Sequence, residues 1–297
     1  MKELTIPAYA KINLTLDVLG KRPDGYHDLS MVMQSVSLAD QVIIRETGEE
    51  GFTLKTDLGF LPGADKNIAG VAARAFARHT GADLSGLEIE LQKHIPVCAG
   101  TAGGSSDAAA VLRGLNTLTG AGLSPQALAS IGDEVGSDVP YCVLGGTALA
   151  QGRGETLSPL PPLPDCFLVL CKPRFSISTP ALFRTWDKAK RHLRPDTRGV
   201  IAALERGDLV GLAQRMFNVF EAVLPPHQHR DIEGIKTTLL QAGALGAAMS
   251  GSGPTVFGLF SQESAAQKAV TILQEDYDEV YLTHPLPAHG ASCQIPV

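Results

Sequence analysis

The sequence predicts an α+β protein of two units, on three observations. Residues 159–164 contain Pro159, Pro161, Pro162 and Pro164, four prolines in six residues. Neither a helix nor a central strand can carry such a run, so it reads as a connection between units at 1–157 and 166–297. Both flanks mix runs of period two with runs of helical spacing. Helices also cluster among a few strands instead of alternating strictly with them.

The elements follow in order. Ala10, Ile12, Leu14, Leu16 and Val18 alternate with Tyr9, Lys11, Asn13, Thr15 and Asp17. That period of two predicts a strand with one buried face, with Lys11 and Asn13 on its polar side. Residues 32–36 and 41–45 predict two more strands, with 37–40 as the turn between them. Residues 67–79 predict a helix ended near Gly81, and 87–91 a strand. After a glycine-rich loop, 107–118 and 125–135 predict helices and 145–150 a strand. Beyond the prolines, 167–171 is an apolar strand. Helices are expected near 180–190, 200–205, 209–217 and 232–242. Strands at 247–249 and 255–260 flank a second glycine loop, followed by a helix over 264–274 and a strand over 279–283.

Composition narrows the function. Of 297 residues, 25 are Lys or Arg and 31 are Asp or Glu, for a net charge of −6. An acidic balance argues against a nucleic-acid binder, whose footprint is basic. An anionic ligand would have to be held locally, by a loop and one or two lysines. No stretch approaches the roughly 18 apolar residues of a membrane span. The first residues carry no secretory pattern, so a cytoplasmic protein is expected. The cysteines, Cys98, Cys142, Cys166, Cys171 and Cys293, are odd in number and irregular in spacing, which fits neither a disulfide framework nor a zinc site. Cys166 and Cys171 read as buried thiols. His227 and His229, beside Pro225 and Pro226, read as a solvated loop.

The most informative segment is Pro96-Val97-Cys98-Ala99-Gly100-Thr101-Ala102-Gly103-Gly104-Ser105-Ser106, which runs into an alanine-rich helix. Glycines let backbone N–H groups approach a ligand closely. A helix N-terminus adds unpaired donors and the positive end of a dipole. Together they suit a di- or triphosphate. No lysine follows Gly104, so this is not a Walker loop, and the dinucleotide pattern GxGxxG is absent. A simpler reading is a capped helix, with Ser105 or Ser106 as N-cap, but it leaves three glycines in five positions unexplained. Ser250-Gly251-Ser252-Gly253-Pro254 alone reads as a hairpin turn, Asp138 alone as a turn residue, and Lys11 alone as a solvated lysine.

Taken together, these segments resemble the GHMP small-molecule kinases, named for galacto-, homoserine, mevalonate and phosphomevalonate kinases. The residues that carry the resemblance are Ala10-Lys11-Ile12-Asn13-Leu14 with Arg22-Pro23-Asp24-Gly25-Tyr26-His27, then Gly104-Ser105-Ser106-Asp107, Gly136-Ser137-Asp138-Val139-Pro140 and Ser250-Gly251-Ser252-Gly253-Pro254. The likeness spans nearly the whole chain and is weakest over 186–231. Arg-Pro-Asp-Gly-Tyr-His points to members whose alcohol carries a cytidine diphosphate.

The resemblance implies transfer of the ATP γ-phosphate to a hydroxyl of that alcohol, in non-mevalonate isoprenoid synthesis. It implies an N-terminal domain like ribosomal protein S5 domain 2 and a ferredoxin-like C-terminal domain, with the cleft between them. Asp138 matches the catalytic base. Lys11 matches its partner lysine, which offsets charge on the moving phosphoryl group. Asn13 would position the substrate, and Tyr26, His27 and Phe183 match a cytosine pocket. Residues from Pro96 to Ser106 match the ATP loop, with Asn67 and Lys93 near the adenine and Ser106 as the Mg²⁺ contact. The family loop usually reads Gly-Leu-Gly-Gly-Gly-Ser-Ser, so Ala102 stands where a glycine is usual. If that position needs positive φ, Ala102 is strained by about 1 kcal/mol. Two other readings stand beside this one: a GHMP kinase acting on another alcohol, and a non-catalytic nucleotide-binding protein on the same fold.

Overall fold

The computed structural model describes residues 2–189 and 193–289. Two long strands start the chain, β1 (Glu3–Lys21) and β2 (His27–Glu46), paired antiparallel. They are followed by β3 (Phe52–Thr56), α1 (Ile68–Thr80), β4 (Leu87–Gln92), α2 (Gly103–Thr119), α3 (Pro125–Asp133), α4 (Val139–Leu144), β5 (Thr147–Gly152) and β6 (Thr156–Pro159). Past the prolines come β7 (Phe167–Lys172), α5 (Thr179–Lys188), α6 (Thr197–Glu205), α7 (Leu209–Ala213), the short β8 (Phe217–Asn218) and a 3-10 turn (Val219–Val223). The chain continues through α8 (Pro226–Gln241), β9 (Gly246–Met249), β10 (Val256–Phe260), α9 (Glu263–Leu273) and β11 (Glu279–Thr283).

The first sheet runs β3-β4-β2-β1-β8, with β5 paired to β2 and β6 to β5. The second runs β11-β7-β10-β9 and is antiparallel throughout. Numbered within that unit its order is 4-1-3-2, the ferredoxin-like arrangement expected. The two sheets are not separate cores. Val169 belongs to the same apolar cluster as Ile6, and Leu168 to the same cluster as Ile12.

Several expectations change. β1 is covered on both faces, so Lys11 and Asn13 are 4% and 1% exposed instead of lying on a solvated side. The reason is register. The β1–β2 pairing shifts between Tyr9 and Lys11 and again between Asn13 and Thr15. Ala10, Ile12 and Leu14, which lie between these breaks, pack in one apolar cluster, while Ile6, Ala8, Leu16 and Val18 pack in the other. Irregularities of this kind re-aim side chains, and here they turn Lys11 and Asn13 toward the cleft.

Residues 37–40 are not a turn but part of the unbroken β2. Around 36–38 the chain leaves β1 and bonds to the C-terminal segment instead: the Ser37 N–H donates to the His284 carbonyl, and Val36 bridges Pro285. α2 starts four residues earlier than expected, at Gly103. Asp138, which alone reads as a turn residue, directly precedes a further helix, α4, over Val139–Leu144. His227 and His229 lie in the first turn of α8, not in a loop. Cys142, Cys166 and Cys171 are free and buried, and burial raises each thiol to about 12. Cys98 is exposed, and Cys293 lies outside the described residues.

Candidate active site

A cleft of about 750 Å³ opens where β1, the loop before α2, the start of α4 and the β9–β10 loop meet. Lys11 reaches it from β1. Its ammonium donates to Asn13 Oδ1 at 2.8 Å and to the Gly100 carbonyl at 2.9 Å, and stands 3.9 Å from Asp138 Oδ2. Asp138 is the residue preceding α4, yet its side chain makes no capping hydrogen bond. The simple turn role therefore does not account for its carboxylate, which is one-third exposed on the cleft wall.

The two glycine loops dock directly on each other. Ser250 Oγ donates to the Gly100 carbonyl at 3.0 Å and accepts the Asn13 N–H at 3.3 Å. The Thr255 N–H donates to the Ala99 carbonyl. A Cβ on Gly100 would come 2.1 Å from the Ser250 carbonyl oxygen, which explains the glycine there. Asn218 Nδ2 holds the second loop by donating to the carbonyls of Met249 and Gly251, both at 2.8 Å. The hairpin reading of 250–254 was right locally, but Gly251 and Ser252 also reach the cleft wall.

From Pro96 to Ser105 the loop lines the cleft, except at Thr101. The Thr101 carbonyl accepts the Lys11 N–H, and its hydroxyl is buried. Gly103 and Gly104 open α2 at the wall, with Ser105 beside them. Ala102 precedes the helix at φ 60° and ψ 28°, the left-handed conformation that its place in a glycine pattern suggested. Cys98 adopts φ 53°, and these are the two non-glycine residues of positive φ among those described. Strain of this kind concentrates at ligand-binding loops.

Three of the expected site residues have partners within the protein. Ser106 is 1% exposed; its hydroxyl donates to the Tyr9 carbonyl at 2.6 Å and lies 3.5 Å from Cys142 Sγ. It ties α2 to β1 and does not face the cleft, so it is neither a metal contact nor the helix cap. Lys93 touches the wall, but its ammonium is ion-paired to both Asp40 and Asp107, with every side chain in the group nearly buried. Burial works to lower the Lys93 ammonium, but the two carboxylates outweigh it and leave it raised. Burial pushes the Asp107 carboxyl up to about 8, against the pull of Lys93. Asn67 caps α1: its Oδ1 accepts the Ala69 N–H at 3.0 Å and its Nδ2 donates to the Pro62 carbonyl. Asn67 also lines the cleft.

The aromatic group is arranged differently from a simple pair. Phe183 lies on the wall with His27 stacked on it at 4.5 Å and 20°, and with Phe220 edge-on at 4.9 Å. His27 Nε2 is hydrogen-bonded to Asp187 Oδ1 at 2.7 Å. That bond, first of all, holds the Asp187 carboxyl below the ordinary range. Tyr26 is 57% exposed, and the Arg153 guanidinium lies 5.6 Å from its ring centroid. Arg153 itself lines the cleft. Sequence reading missed Arg153, Asp187, Asp40 and Asn218. None of them sits in a motif, and each is brought in by a partner remote in sequence.

No group of three or more His, Cys, Asp or Glu residues among those described could hold a metal ion. Nor does any helix of the described chain have the length and apolarity to cross a membrane.

The family described as GHMP kinases N terminal domain matches residues 67–146, and that described as GHMP kinases C terminal matches residues 200–279. A 4-diphosphocytidyl-2-C-methyl-D-erythritol kinase of Lachnoclostridium phytofermentans is 47% identical over 269 residues, 91% of this chain and 92% of that protein. The enzyme of the same name from Moorella thermoacetica is 46% identical over 96% of this chain and all of its own length. A crystal structure of 4-(cytidine 5'-diphospho)-2C-methyl-D-erythritol kinase superposes with a TM-score of 0.80 at 30% identity, covering 95% of this chain and 99% of that one. Homoserine kinase of Cytophaga hutchinsonii shares the fold, with a TM-score of 0.76 at 22% identity over 97% of this chain and 96% of that one.

Proposed function

The chain belongs to the GHMP kinases, among the 4-diphosphocytidyl-2-C-methyl-D-erythritol kinases, and from that premise we propose how its cleft performs the reaction. The enzyme moves the γ-phosphoryl group of ATP to the 2-hydroxyl of 4-diphosphocytidyl-2-C-methyl-D-erythritol, a step in making isoprenoid precursors without mevalonate.

The observation that carries the mechanism is the Lys11–Asp138 pair. A free alcohol is a weak nucleophile, and Asp138 has a carboxylate on the wall with no hydrogen-bond partner from Lys11 at 3.9 Å. It accepts the hydroxyl proton as the oxygen attacks the γ-phosphorus and the bond to the β-phosphate oxygen breaks. Lys11, fixed by Asn13 and Gly100, sets a positive charge beside the group in transfer. The loop amides and the start of α2 hold the ATP phosphates. Asn13 keeps Lys11 in place from its own buried position. The cytidine end of the substrate is read by Tyr26, Phe183 and the backbone and remaining ring nitrogen of His27.

Mg²⁺ enters as the counterion of ATP. Such an ion is commonly held by one or two carboxylates together with substrate phosphates. The protein builds no three-ligand cage for it among the described residues, and Ser106 does not serve it. Bound, it would neutralise phosphate charge. In this reading the chain is two units, 1–157 and 166–297, that share their apolar clusters; the first supplies the ATP loop and Asp138 to the cleft, and the second supplies Phe183 and the second glycine loop. The family matches on either side of the proline segment support that division. A cytoplasmic location fits small, charged substrates of this kind.

An assay of ADP release, run with the cytidyl alcohol, mevalonate and homoserine, tests the reading. Turnover is expected with the cytidyl alcohol alone. Comparable turnover of either other alcohol would make the enzyme another GHMP kinase, and no turnover with any would leave a nucleotide-binding protein.

A further inference from the structure

We propose that Asp40, Lys93 and Asp107 form a buried clasp that fixes both ends of the ATP loop, and that Lys93 is a positioning residue and not an adenine contact. The inference rests on reading 96–106 as the ATP loop. Asp40 lies on β2, Lys93 just after β4 and Asp107 one turn into α2. Asp40 Oδ1 accepts the N–H groups of His94 and Ile95, at 2.5 and 2.7 Å, which are the last two residues before Pro96. Its Oδ2 pairs with the Lys93 ammonium, and the same ammonium pairs with Asp107 Oδ2. The entrance of the loop and the helix at its exit are thus joined through the Lys93 ammonium and the carboxylates of Asp40 and Asp107. The Lys93 N–H is itself held by the Asp57 carboxylate. A Cβ on Gly103 would come 3.1 Å from Ile95 Cγ2 and 3.6 Å from Asp40 Oδ2, so the two ends approach closely.

The side chains are 0% (Asp40), 4% (Lys93) and 4% (Asp107) exposed. For Lys93 to reach a base in the cleft, its ammonium would have to leave two buried carboxylates unpaired, which is strongly unfavourable. The clasp is also no simple gain in stability, because Asp107 Oδ1 is buried without a partner. A buried group left unsatisfied calls for a reason beyond packing. That reason is the loop it holds: Cys98 and Ala102 sit between the clasped ends in left-handed conformations that a free loop would relax.

The test is steady-state kinetics on the full chain with ATP, inosine triphosphate and the cytidyl alcohol. Asp40→Asn, Lys93→Met and Asp107→Asn should each raise the KM for ATP about fivefold or more, with the KM for the alcohol within about twofold. The preference for ATP over inosine triphosphate should not change, because no base contact is lost. Lys93→Arg keeps the cation and should recover most of the ATP affinity. Asp107→Asn is isosteric and leaves Lys93 an amide oxygen, so it keeps the test open if the others fold poorly. An effect confined to Lys93→Met, with the ATP preference lost, would make Lys93 an adenine contact and overturn the clasp. Unchanged ATP KM in all three variants would overturn it as well. Gly104→Val, on the cleft wall, reports on the premise separately: if it leaves the ATP KM unmoved, the loop is not the ATP site.

Discussion

The Lys11 ammonium lies 3.9 Å from Asp138 Oδ2 while two of its donors are engaged by Asn13 and the Gly100 carbonyl. The pair is close enough for charge to matter and too far apart for a hydrogen bond. Asp138 Oδ2 is thereby free of a hydrogen bond from Lys11, and Lys11 is held by the glycine loop before α2.

On the proposed mechanism Asp138→Asn keeps the shape and removes the base, so kcat should fall by about 10²–10⁴-fold while both KM values move little. Lys11→Met should also lower kcat. Because the two act on one transition state, the double variant should be scarcely worse than the poorer single one. Near-normal kcat in Asp138→Asn would remove the carboxylate from the mechanism.

Tyr26→Ala should raise the KM for the cytidyl alcohol and leave that for ATP nearly unchanged. Stacking of a base on an aromatic ring is worth about 1–3 kcal/mol by alanine substitution. The Arg153 guanidinium over the same ring makes Arg153→Ala a companion variant, with a loss in the same direction. Equal effects on both substrates would count against a base platform at this end.

Ala102→Gly should raise stability by about 0.5–1 kcal/mol. Left-handed backbone costs a non-glycine residue roughly 1–2 kcal/mol, and the greater freedom of glycine in the unfolded chain offsets about 0.4–1 of that. Urea unfolding of the two chains reads the difference as a shift in midpoint at constant slope. A lower midpoint would show that Ala102 is not strained in solution.

Acid should weaken the fold through His289. Its ring stacks on Tyr9 at 5.7 Å and packs against Gly145. Burial lowers the imidazole from 6.5 to about 3, with the Arg113 charge adding to the effect. In the unfolded chain the ring takes up a proton near pH 6.5, whereas in the folded chain it does so only near pH 3. The unfolded state therefore binds more protons in between, and stability falls with pH across that window, by about 1.4 kcal/mol per unit from this one group. His289→Phe should flatten the difference between unfolding curves taken at pH 6 and pH 4.5. Equal pH dependence in both chains would show that the ring is not buried as described.

Most regular elements were legible because their signals are local. The apolar spacing of α1, the glycine stop at Gly81 and the alternation in β4 involve neighbours within a turn or a pleat. The exceptions are instructive. β3 alternates over only five residues and β8 is two residues long, too short to read as strands alone, and each is fixed by pairing with an established strand. Residues 37–40 carry turn chemistry, but the C-terminal segment partners 37 and 38 while β1 pairs with 39 and 40, and β2 stays extended.

At the site, residue types and their spacing along the chain set which chemistry is available. A glycine-serine loop before an alanine-rich helix makes an anion site wherever it folds, since its donors are its own backbone. A lysine on the first strand and an aspartate beside Val139 and Pro140 supply an ammonium and a carboxylate, the groups the proposed mechanism uses. Tertiary structure decided where those side chains point. Ser106 turned away because Tyr9, 97 residues distant, offers its carbonyl. The Lys93 ammonium is held by Asp40, 53 residues away. Lys11 and Asn13 came to face the cleft because two register breaks against β2 re-aim β1, and because Ser250, 237 residues on, closes over Asn13. The side-chain direction on a bulged strand, or in the first turn of a packed helix, is set by which distant polar group must be satisfied once water is excluded, and that requirement arises only when the chain has folded.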